Sequence, residues 1–493
     1  MVDILLFNSL SGYPVPSLSA GPYRIASVLR QEKYNVKIID HFEWLLKNDF
    51  KDFYDILSKL AKSTNNNLKL IGISTTWLKL HEDQTQIKKF NLFLKILKTF
   101  FPNSLIIFGG NTYNSKIMYK LFGDMIDFWI EGLGESAIVG LLKNGSSSFE
   151  YKEDKKQITF DPLGKNFDFR NSAPLFHKTD TILEGETLPI EITRGCRFRC
   201  KFCTFPLLGR NPHDHSYIRS TESLAREFAE NYSNFKTKNY FMLCDTFNES
   251  TDKLINIRKA LDIAGIDKIN FFAYLRADLL HVYPEQIDIL KNIGLKAAIF
   301  GIESLNDASA KSIGKGLGAE KILKIIKKAK KVWGDNTFIY GSFIIGLPHE
   351  NYKTLEEWTT PILNGDSPFH SYEFNTLTFW NDVLHKSEFS KNPEKYGYTM
   401  KLNKNNLTYD WNNKAWNNND CNIIKNHYEK ISIEKNTNGV TPYMVMGLKT
   451  LGWNDDDIKK LRFQEISSNT KVINDKEKYF KKYFDKLKST IYQ

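Results

Sequence analysis

The sequence is poor in cysteine, with 5 cysteines among 493 residues. Three of them, Cys196, Cys200 and Cys203, fall in one short segment, while Cys244 and Cys421 each stand alone. An odd number of cysteines with three clustered together excludes a disulfide framework. The pattern instead indicates a reducing compartment and a metal site.

The chain also lacks a long hydrophobic run. Its longest apolar stretches, such as Phe338–Leu347, are far shorter than the roughly 20 residues that span a bilayer. The sequence begins Met-Val-Asp, with an acidic residue where a signal peptide would carry positive charge. We therefore expect a cytoplasmic protein without a membrane partner.

Basic residues outnumber acidic ones, 68 to 57, which gives a formal net charge of +11. Such an excess is compatible with a nucleic-acid partner. However, lysine-rich segments such as Lys324–Lys331 have the spacing of a solvated helix face, so charge alone does not favour that partner. The length favours two or three domains.

Residues 1–150 alternate short apolar runs with amphipathic stretches, which predicts a Rossmann-like parallel sheet covered by helices on both faces. The predicted strands are Ile4–Phe7, Val36–Ile39, Leu70–Ser74, Leu105–Phe108 and Phe128–Glu131. The predicted helices are Tyr23–Gln31, Trp44–Lys62, Gln84–Phe101, Ser115–Phe122 and Glu135–Lys143. Ligands of such sheets bind at the carboxyl ends of the strands.

After a polar linker over residues 151–185, residues 186–385 repeat the strand–helix unit six times, which predicts a partial (β/α)6 barrel. The predicted strands are Leu188–Thr193, Tyr240–Cys244, Asn270–Tyr274, Ala297–Ile302, Phe338–Ile345 and Tyr372–Phe379. Strand signals fade in residues 386–493, where helical patterns over Asp420–Ile433 and Ile466–Gln493 predict a mainly helical region.

The cysteine cluster has the spacing Cys-x3-Cys-x2-Cys, which lets one loop present three thiolates to one metal centre. Three cysteines on a four-iron cluster leave one iron open to bind a small molecule. Nearby basic residues favour thiolates over thiols. A zinc site with His213 or His215 as a fourth ligand is the alternative.

The motif, placed at the end of a first barrel strand with Phe202 before its last cysteine, resembles the radical S-adenosylmethionine (SAM) superfamily. The resemblance implies that Cys196, Cys200 and Cys203 hold a 4Fe–4S cluster whose open iron binds SAM. Reductive cleavage of SAM would then yield a 5′-deoxyadenosyl radical or divert to methyl transfer. The resemblance also implies Phe202 against the adenine, a flavodoxin- or ferredoxin-like electron donor, and a small-molecule or peptide substrate.

Further residues match the strand ends of that family. The resemblance assigns Asp245 to the methionine amino group of SAM, Arg276 to a carboxylate and Glu303 to the ribose. Ser304, next to Glu303, is a further candidate for cofactor binding. Gly346 lies in a segment that resembles the adenine-binding strand, although the glycine and glutamate spacing departs from the family pattern. A helix cap for Asp245, a salt bridge for Arg276 and a helix-start carboxylate for Glu303 are the structural alternatives.

An N-terminal parallel-sheet domain before the radical SAM core resembles the cobalamin-binding subfamily. Gly109, Gly110, Gly132 and Gly134 follow predicted strands, where glycine permits close approach of a large ligand. The first loop has no histidine, and Asp40-His41 lacks the spacing of a lower-ligand motif. We therefore expect cobalamin without a histidine on cobalt, with a scaffold-only domain as the alternative.

Other function classes remain open at this point. An RNA-modifying radical SAM methylthiotransferase would carry three further cysteines for a second cluster, and residues 1–150 contain none. A non-catalytic zinc-stabilised binding module would contain zinc instead of iron and sulfide. Glu373 and Asn375 in the sixth barrel strand, with Trp380 after it, are candidate substrate-facing positions.

Overall fold

The computed structural model describes residues 2–8, 14–45, 50–76, 84–110, 115–153, 156–205, 213, 216–381, 386–404 and 408–491. The chain forms two compact units. The first comprises residues 1–189, 230–237 and 474–493, and the second comprises residues 190–229 and 238–473. The predicted linker thus belongs to the first unit, and the C-terminal region contributes to both.

The first unit is built on a seven-stranded sheet. Its strands are β1 Ile4–Asn8, β2 Val36–Asp40, β3 Leu70–Ser74, β4 Leu105–Gly109, β5 Phe128–Ile130, β6 Glu150–Lys152 and β7 Gln157–Thr159. They follow the order β2–β1–β3–β4–β5–β7–β6, parallel except for the β6–β7 hairpin. Every residue of β1 is buried, as expected for a strand covered on both faces. The five predicted parallel strands are confirmed.

Six helices follow the strands of this unit: α1 Ala20–Gln31, α2 Phe42–Leu45, α3 Lys51–Thr64, α4 Gln84–Phe100, α5 Ser115–Phe122 and α6 Glu135–Asn144. The single helix predicted over Trp44–Lys62 was wrong in extent. Phe50, which precedes α3, has a left-handed backbone with φ of 63°, and this conformation cannot continue a helix. Residues 46–49 lie outside the described part of the chain.

The central sheet has six strands: β8 Leu188–Glu191, β9 Asn239–Leu243, β10 Asn270–Leu275, β11 Leu295–Glu303, β12 Phe338–Ile345 and β13 Ser371–Thr376. They lie in chain order from β8 to β13, and the pairs from β9 onward are parallel. The connecting helices are α7 Thr221–Phe235, α8 Thr251–Ile263, α9 Ala277–Val282, α10 Gln286–Ile293, α11 Asp307–Ser312, α12 Ala319–Trp333 and α13 Tyr352–Leu363. The predicted partial barrel is confirmed.

The remaining elements are β14 Phe379–Trp380, α14 Glu388–Lys391, β15 Thr399–Leu402, β16 Thr408–Asn412, α15 Asn418–Glu434, α16 Pro442–Thr450, α17 Asp455–Lys460 and α18 Thr470–Thr490. Helices dominate, as predicted, but the sequence did not predict the antiparallel sheet β14–β16–β15. Its polar strands carry a weak strand signal, and buried Trp411 holds them through ring contacts with Phe379 and Tyr398. Within the described ranges, no helix has the length and apolarity that a bilayer crossing requires.

Candidate active site

The cysteine loop follows β8 and is fixed at several points of its backbone. The N–H of Arg194 donates to the carbonyl of Tyr217 at 2.9 Å, and the N–H of Lys201 donates to the carbonyl of Ile313 at 3.0 Å. Between them, Gly195 turns the chain with φ of 85°, a conformation that glycine adopts without strain. These anchors present the three cysteines at the carboxyl end of the barrel.

Each cysteine sulfur has its own polar neighbour. The hydroxyl of Thr246 lies 3.4 Å from Sγ of Cys196, and Nη1 of Arg276 donates to Sγ of Cys200 at 3.3 Å. The N–H of Phe205 donates to Sγ of Cys203 at 3.4 Å. Hydrogen bonds of this kind stabilise the charge on thiolate ligands.

The three cysteine thiols of the loop fit an iron–sulfur cluster, which they would bind by losing their protons. Burial raises the pKa of the Cys203 thiol to about 12 and also raises the pKa of Cys196. A metal that binds such thiols displaces their protons. Within the described residues, no three His, Cys, Asp or Glu side chains lie together in an arrangement that could hold a metal ion. The three half-buried cysteines nevertheless share one loop and supply the sulfur ligands that iron–sulfur clusters use.

The two candidate zinc-ligand histidines have no established place in this site. His213 is exposed, and His215 lies outside the described residues. The zinc alternative therefore gains no support from these two positions.

Asp245 and Thr246 follow β9 and reach the same end of the barrel. The Asp245 side chain is open to solvent, yet the protein around it raises its pKa to about 6, mainly by desolvation. The exposure of this side chain leaves its carboxylate accessible to a ligand at this end of the barrel.

A buried lysine supports this segment from below. Nζ of Lys253 contacts Sγ of Cys244 at 2.8 Å, the carbonyl of Thr246 at 2.9 Å and a carboxylate oxygen of Glu249 at 3.0 Å. Cys244 is buried, as expected, but it lies in a polar network that also includes the hydroxyl of Thr193 at 2.8 Å. The network fixes the backbone that carries Asp245.

Arg276 connects the end of β10 to the cysteine loop. In addition to Cys200, its guanidinium binds the carboxylate of Asp278, with an Nη2–Oδ2 distance of 2.6 Å, and lies 4.2 Å from the ring centroid of Phe198. Buried Asn248 accepts from the N–H of Arg276 at 2.9 Å and donates to its carbonyl at 3.1 Å. The salt bridge anticipated as an alternative is present, and the predicted role in binding a carboxylate ligand remains a prediction.

Glu303 and Ser304 form the end of β11. Glu303 has φ of 70° and pairs with Lys315, with an Nζ–Oε1 distance of 2.8 Å. The hydroxyl of Ser304 donates to the carboxylate of Glu350 and accepts from the N–H of Asn306 at 2.9 Å. Burial raises the pKa of Glu350 to about 7. Ribose binding by Glu303 and cofactor binding by Ser304 stay predictions.

Gly346 and Phe202 have different surroundings. A side chain at Gly346 would meet the ring of Trp411 within 2.9 Å. The hydroxyl of Tyr398 donates to the carbonyl of Gly346 at 2.8 Å. Close packing therefore explains this glycine without a ligand. Phe202 is half-buried in the cysteine loop. Contacts of both residues with SAM remain predictions.

The glycines of the first unit also separate into two groups. A Cβ at Gly110 would come within 2.9 Å of the backbone of Thr76, and a Cβ at Gly132 would come within 2.7 Å of the backbone of Pro162. Close packing therefore requires glycine at both positions. At Gly109, by contrast, a Cβ would meet nothing within 4 Å, and at Gly134 it would be 3.3 Å from Ile25. Gly109 is thus the position that leaves room beside the sheet edge.

His41 is enclosed by aromatic side chains of the first unit. The rings of Tyr479, Phe480 and Tyr483 surround it at centroid distances of 5.9, 5.2 and 5.4 Å. Its Nε2 lies 3.3 Å from the hydroxyl of Tyr479, and burial lowers its pKa to about 3. His41 is therefore a neutral, packed side chain and is not presented to a ligand.

Neighbouring Asp40 belongs to the same buried polar cluster. Nδ2 of Asn8 donates to Asp40 at 2.6 Å, the hydroxyl of Tyr23 donates to the other carboxylate oxygen, and the backbone N–H of Asp40 donates to Tyr483 at 2.8 Å. Burial raises the pKa of Asp40 to about 8. Residues 9–13 of the first loop lie outside the described residues.

Sequence reasoning missed Lys253, Asn248 and Tyr443 as parts of this site. Lys253 and Asn248 are polar residues with 3% and 0% exposure, a combination that only the folded chain reveals. Tyr443 comes from α16, whose helix lies against β9, β10, β11 and β12. Its ring contacts Phe241 and Phe272 at centroid distances of 5.2 and 4.8 Å. The C-terminal region therefore lines the inside of the barrel, which its sequence did not indicate.

Comparison with known proteins agrees with this geometry. Residues 190–359 match the family described as the radical SAM superfamily. An uncharacterized methyltransferase of Pyrococcus horikoshii is 27% identical over 353 residues, which cover 67% of this chain and 70% of that protein.

Two solved structures share the fold. The cobalamin-dependent radical enzyme OxsB, with aqua-cobalamin bound, matches with a TM-score of 0.61 and 14% identity, covering 99% of this chain and 81% of that chain. The radical SAM methyltransferase TsrM of Kitasatospora setae, with cobalamin and a 4Fe–4S cluster bound, matches with a TM-score of 0.57 and 13% identity. That match covers 82% of this chain and 81% of the other.

Proposed function

We propose that this chain is a radical SAM enzyme that transfers a methyl group to a small molecule with the help of cobalamin. The main observation in support of radical SAM chemistry is the cysteine loop. Its three sulfurs are contacted by Thr246 after β9, Arg276 after β10 and the N–H of Phe205. Cys196, Cys200 and Cys203 would hold a 4Fe–4S cluster there, and the cluster would supply the electron for reductive cleavage of SAM.

This chain's own residues then hold SAM next to the loop. Asp245, open to solvent after β9, would accept from the methionine ammonium. Glu303 would accept from ribose hydroxyls, in exchange for part of its contact with Lys315. Arg276, already bound to Asp278, orients the loop through Cys200 and keeps its charge close to the sulfur.

The proposed cobalamin site is the carboxyl edge of the first sheet. Gly109 leaves open space at the end of β4, and such edges bind large ligands in open parallel sheets. OxsB and TsrM, which share the fold, were solved with cobalamin bound. Because His41 is enclosed by aromatic rings, we propose that cobalamin binds without a histidine on cobalt.

The remaining partners follow from this chemistry. An electron donor such as a flavodoxin or ferredoxin would reduce the cluster, and the reaction would take place in the reducing cytoplasm. An RNA-modifying methylthiotransferase is the second candidate, and the absence of cysteine from residues 1–150 argues against its extra cluster.

The test is anaerobic reconstitution with iron, sulfide and SAM, with and without cobalamin. Wild-type protein should hold about four irons per chain and form S-adenosylhomocysteine with a suitable acceptor. Cys200→Ala should lose the cluster, whereas Cys421→Ala, which removes a buried cysteine outside the loop, should keep it. Stoichiometric zinc without sulfide would contradict the assignment.

Cobalamin is tested separately by electron paramagnetic resonance of cob(II)alamin on nitrogen-15-labelled protein. We expect no histidine hyperfine coupling. Coupling would disprove the histidine-free site, and no binding at micromolar cobalamin would favour a scaffold role for the first unit. SAM cleavage to 5′-deoxyadenosine without methyl transfer would then identify a hydrogen-abstracting enzyme.

A further inference from the structure

The inner face of the barrel carries an exposed carboxylate at Glu373. This residue lies in the middle of β13, opposite Ser342 of β12, which in turn lies opposite Gly301 of β11. The adjacent residues Phe343 and Phe374 contact Trp358 of α13 and therefore face the outer, helix-covered side. Because side chains alternate along a strand, Glu373 faces inward, and it is exposed.

Two hydroxyl groups hold this carboxylate in place. Oγ of Ser342 lies 3.2 Å from Oε1 of Glu373, and the hydroxyl of Tyr340 hydrogen bonds to the same side chain. Burial and the carboxylate together raise the pKa of Tyr340, so its hydroxyl keeps its proton and donates it. In the part of the chain that the structure describes, Glu373 forms no ion pair with a cation.

Aromatic rings of β9, β10 and α16 form a wall on the same inner face. Phe241 and Phe272 stack at a centroid distance of 4.0 Å, and Tyr443 of α16 packs edge-on against both. The hydroxyl of Tyr274 meets that of Tyr443, and Tyr443 is close enough to Tyr340 to affect its pKa. Tyr340 thus joins the aromatic wall to the carboxylate.

This surface is continuous with the cysteine loop. Arg276 follows β10 two residues after Tyr274 and keeps an extended backbone, with φ of −107° and ψ of 123°, so both side chains point to the same side of the sheet. Arg276 donates to Cys200, and Tyr274 lies in the layer of Ile299, Tyr340 and Ser371. A molecule on the aromatic wall would therefore lie on the face that holds the cluster loop.

We propose that Glu373 recognises a protonated basic nitrogen of the substrate, whose planar apolar part lies against Tyr443 and its neighbouring rings. The inference rests on the proposed function, because it places the acceptor of the reaction on this face. A carboxylate that already accepts two hydroxyls and forms no ion pair among the described residues favours a charged donor. A substrate with a carboxylate at the same point would instead be repelled.

The test uses three probes of matched shape and different charge: phenethylamine, phenylpropionate and phenethyl alcohol. Binding to reconstituted protein with SAM is measured by titration calorimetry and ligand-detected nuclear magnetic resonance. Wild type should bind phenethylamine about tenfold more tightly than phenylpropionate. Glu373→Gln should remove that preference, and Glu373→Lys should reverse it. Glu357→Gln, at an exposed position of α13, should behave as wild type.

Three outcomes would overturn the proposal: a preference that survives in Glu373→Gln, equal or tighter binding of phenylpropionate to wild type, or binding of none of the probes. Iron content and SAM binding are measured on every variant. Absence of the cluster or of SAM binding in wild type would refute the proposed function. Failure of the Glu373 proposal appears instead as a changed or missing charge preference among the probes, so the two failures are distinguishable.

Discussion

Arg276 donates a hydrogen bond to Sγ of Cys200 at 3.3 Å while the rest of its guanidinium binds Asp278. The carboxylate fixes the direction of the arginine, so the charge next to the sulfur is held in place before any ligand arrives. Hydrogen bonds to cluster sulfurs are one of the means by which a protein sets the reduction potential of the cluster.

Arg276→Gln should therefore lower the reduction potential of the reconstituted cluster, by about 60 mV for a tenfold change in the one-electron equilibrium. The reduced cluster carries more negative charge than the oxidised cluster. Removal of the Arg276 cation therefore destabilises the reduced state more than the oxidised state. A redox titration followed by electron paramagnetic resonance measures the shift. Arg258→Gln, which breaks the Arg258–Asp262 pair on α8, is the control. Equal potentials in both variants would show that Arg276 does not act on the cluster.

Glu227→Ala should destabilise the second unit by about 3–5 kcal/mol, because it leaves a buried charge without its partner. Arg219 and Glu227 form an ion pair in which both side chains have 0% exposure. Urea unfolding measures the change. Glu434→Ala removes the exposed partner of Lys430, where the side chains are 62% and 76% exposed, and should have little effect. Similar values for both variants would contradict the expected cost of a buried unpaired charge.

Glu350 should make the second unit less stable as the pH rises from about 4.5 to about 7. Burial raises its pKa to about 7 in the folded protein, from a value of 4.5 when exposed. Between these values the folded state binds more protons than the unfolded state, so deprotonation favours unfolding. Glu350→Gln should flatten this part of the stability profile, measured by urea unfolding at several pH values. An unchanged slope would show that Glu350 ionises normally in the folded protein.

The sequence predicted the two parallel sheets because their strands are short apolar runs separated by amphipathic helices. It also placed Asp245, Arg276 and Glu303 at strand ends, because each directly follows or closes such a run. These predictions depend on local patterns, and the carboxyl ends of parallel strands meet by geometry alone.

The partners of these residues could not be predicted in the same way. Tyr443 is 169 residues away from Tyr274 in the sequence, and no periodic pattern connects α16 with the barrel interior. The sheet β14–β16–β15 depends on the burial of Trp411 rather than on strand propensity. The structure also explains Gly110 and Gly132 by close packing against backbone and Gly346 by close packing against the ring of Trp411, whereas sequence reasoning assigned all three to ligands.

The cluster around Asp40 affects how the chain can mature during translation. Its partner Tyr483 is 443 residues further along, and Tyr479, which donates to Glu186, is 293 residues beyond that glutamate. The ribosome therefore releases the whole barrel sequence before it makes the tyrosines that cover Asp40 and Glu186. Until then, the carboxyl groups of Asp40 and Glu186 in the nascent first unit lack their tyrosine partners. A fragment of residues 1–189 would remain in this state.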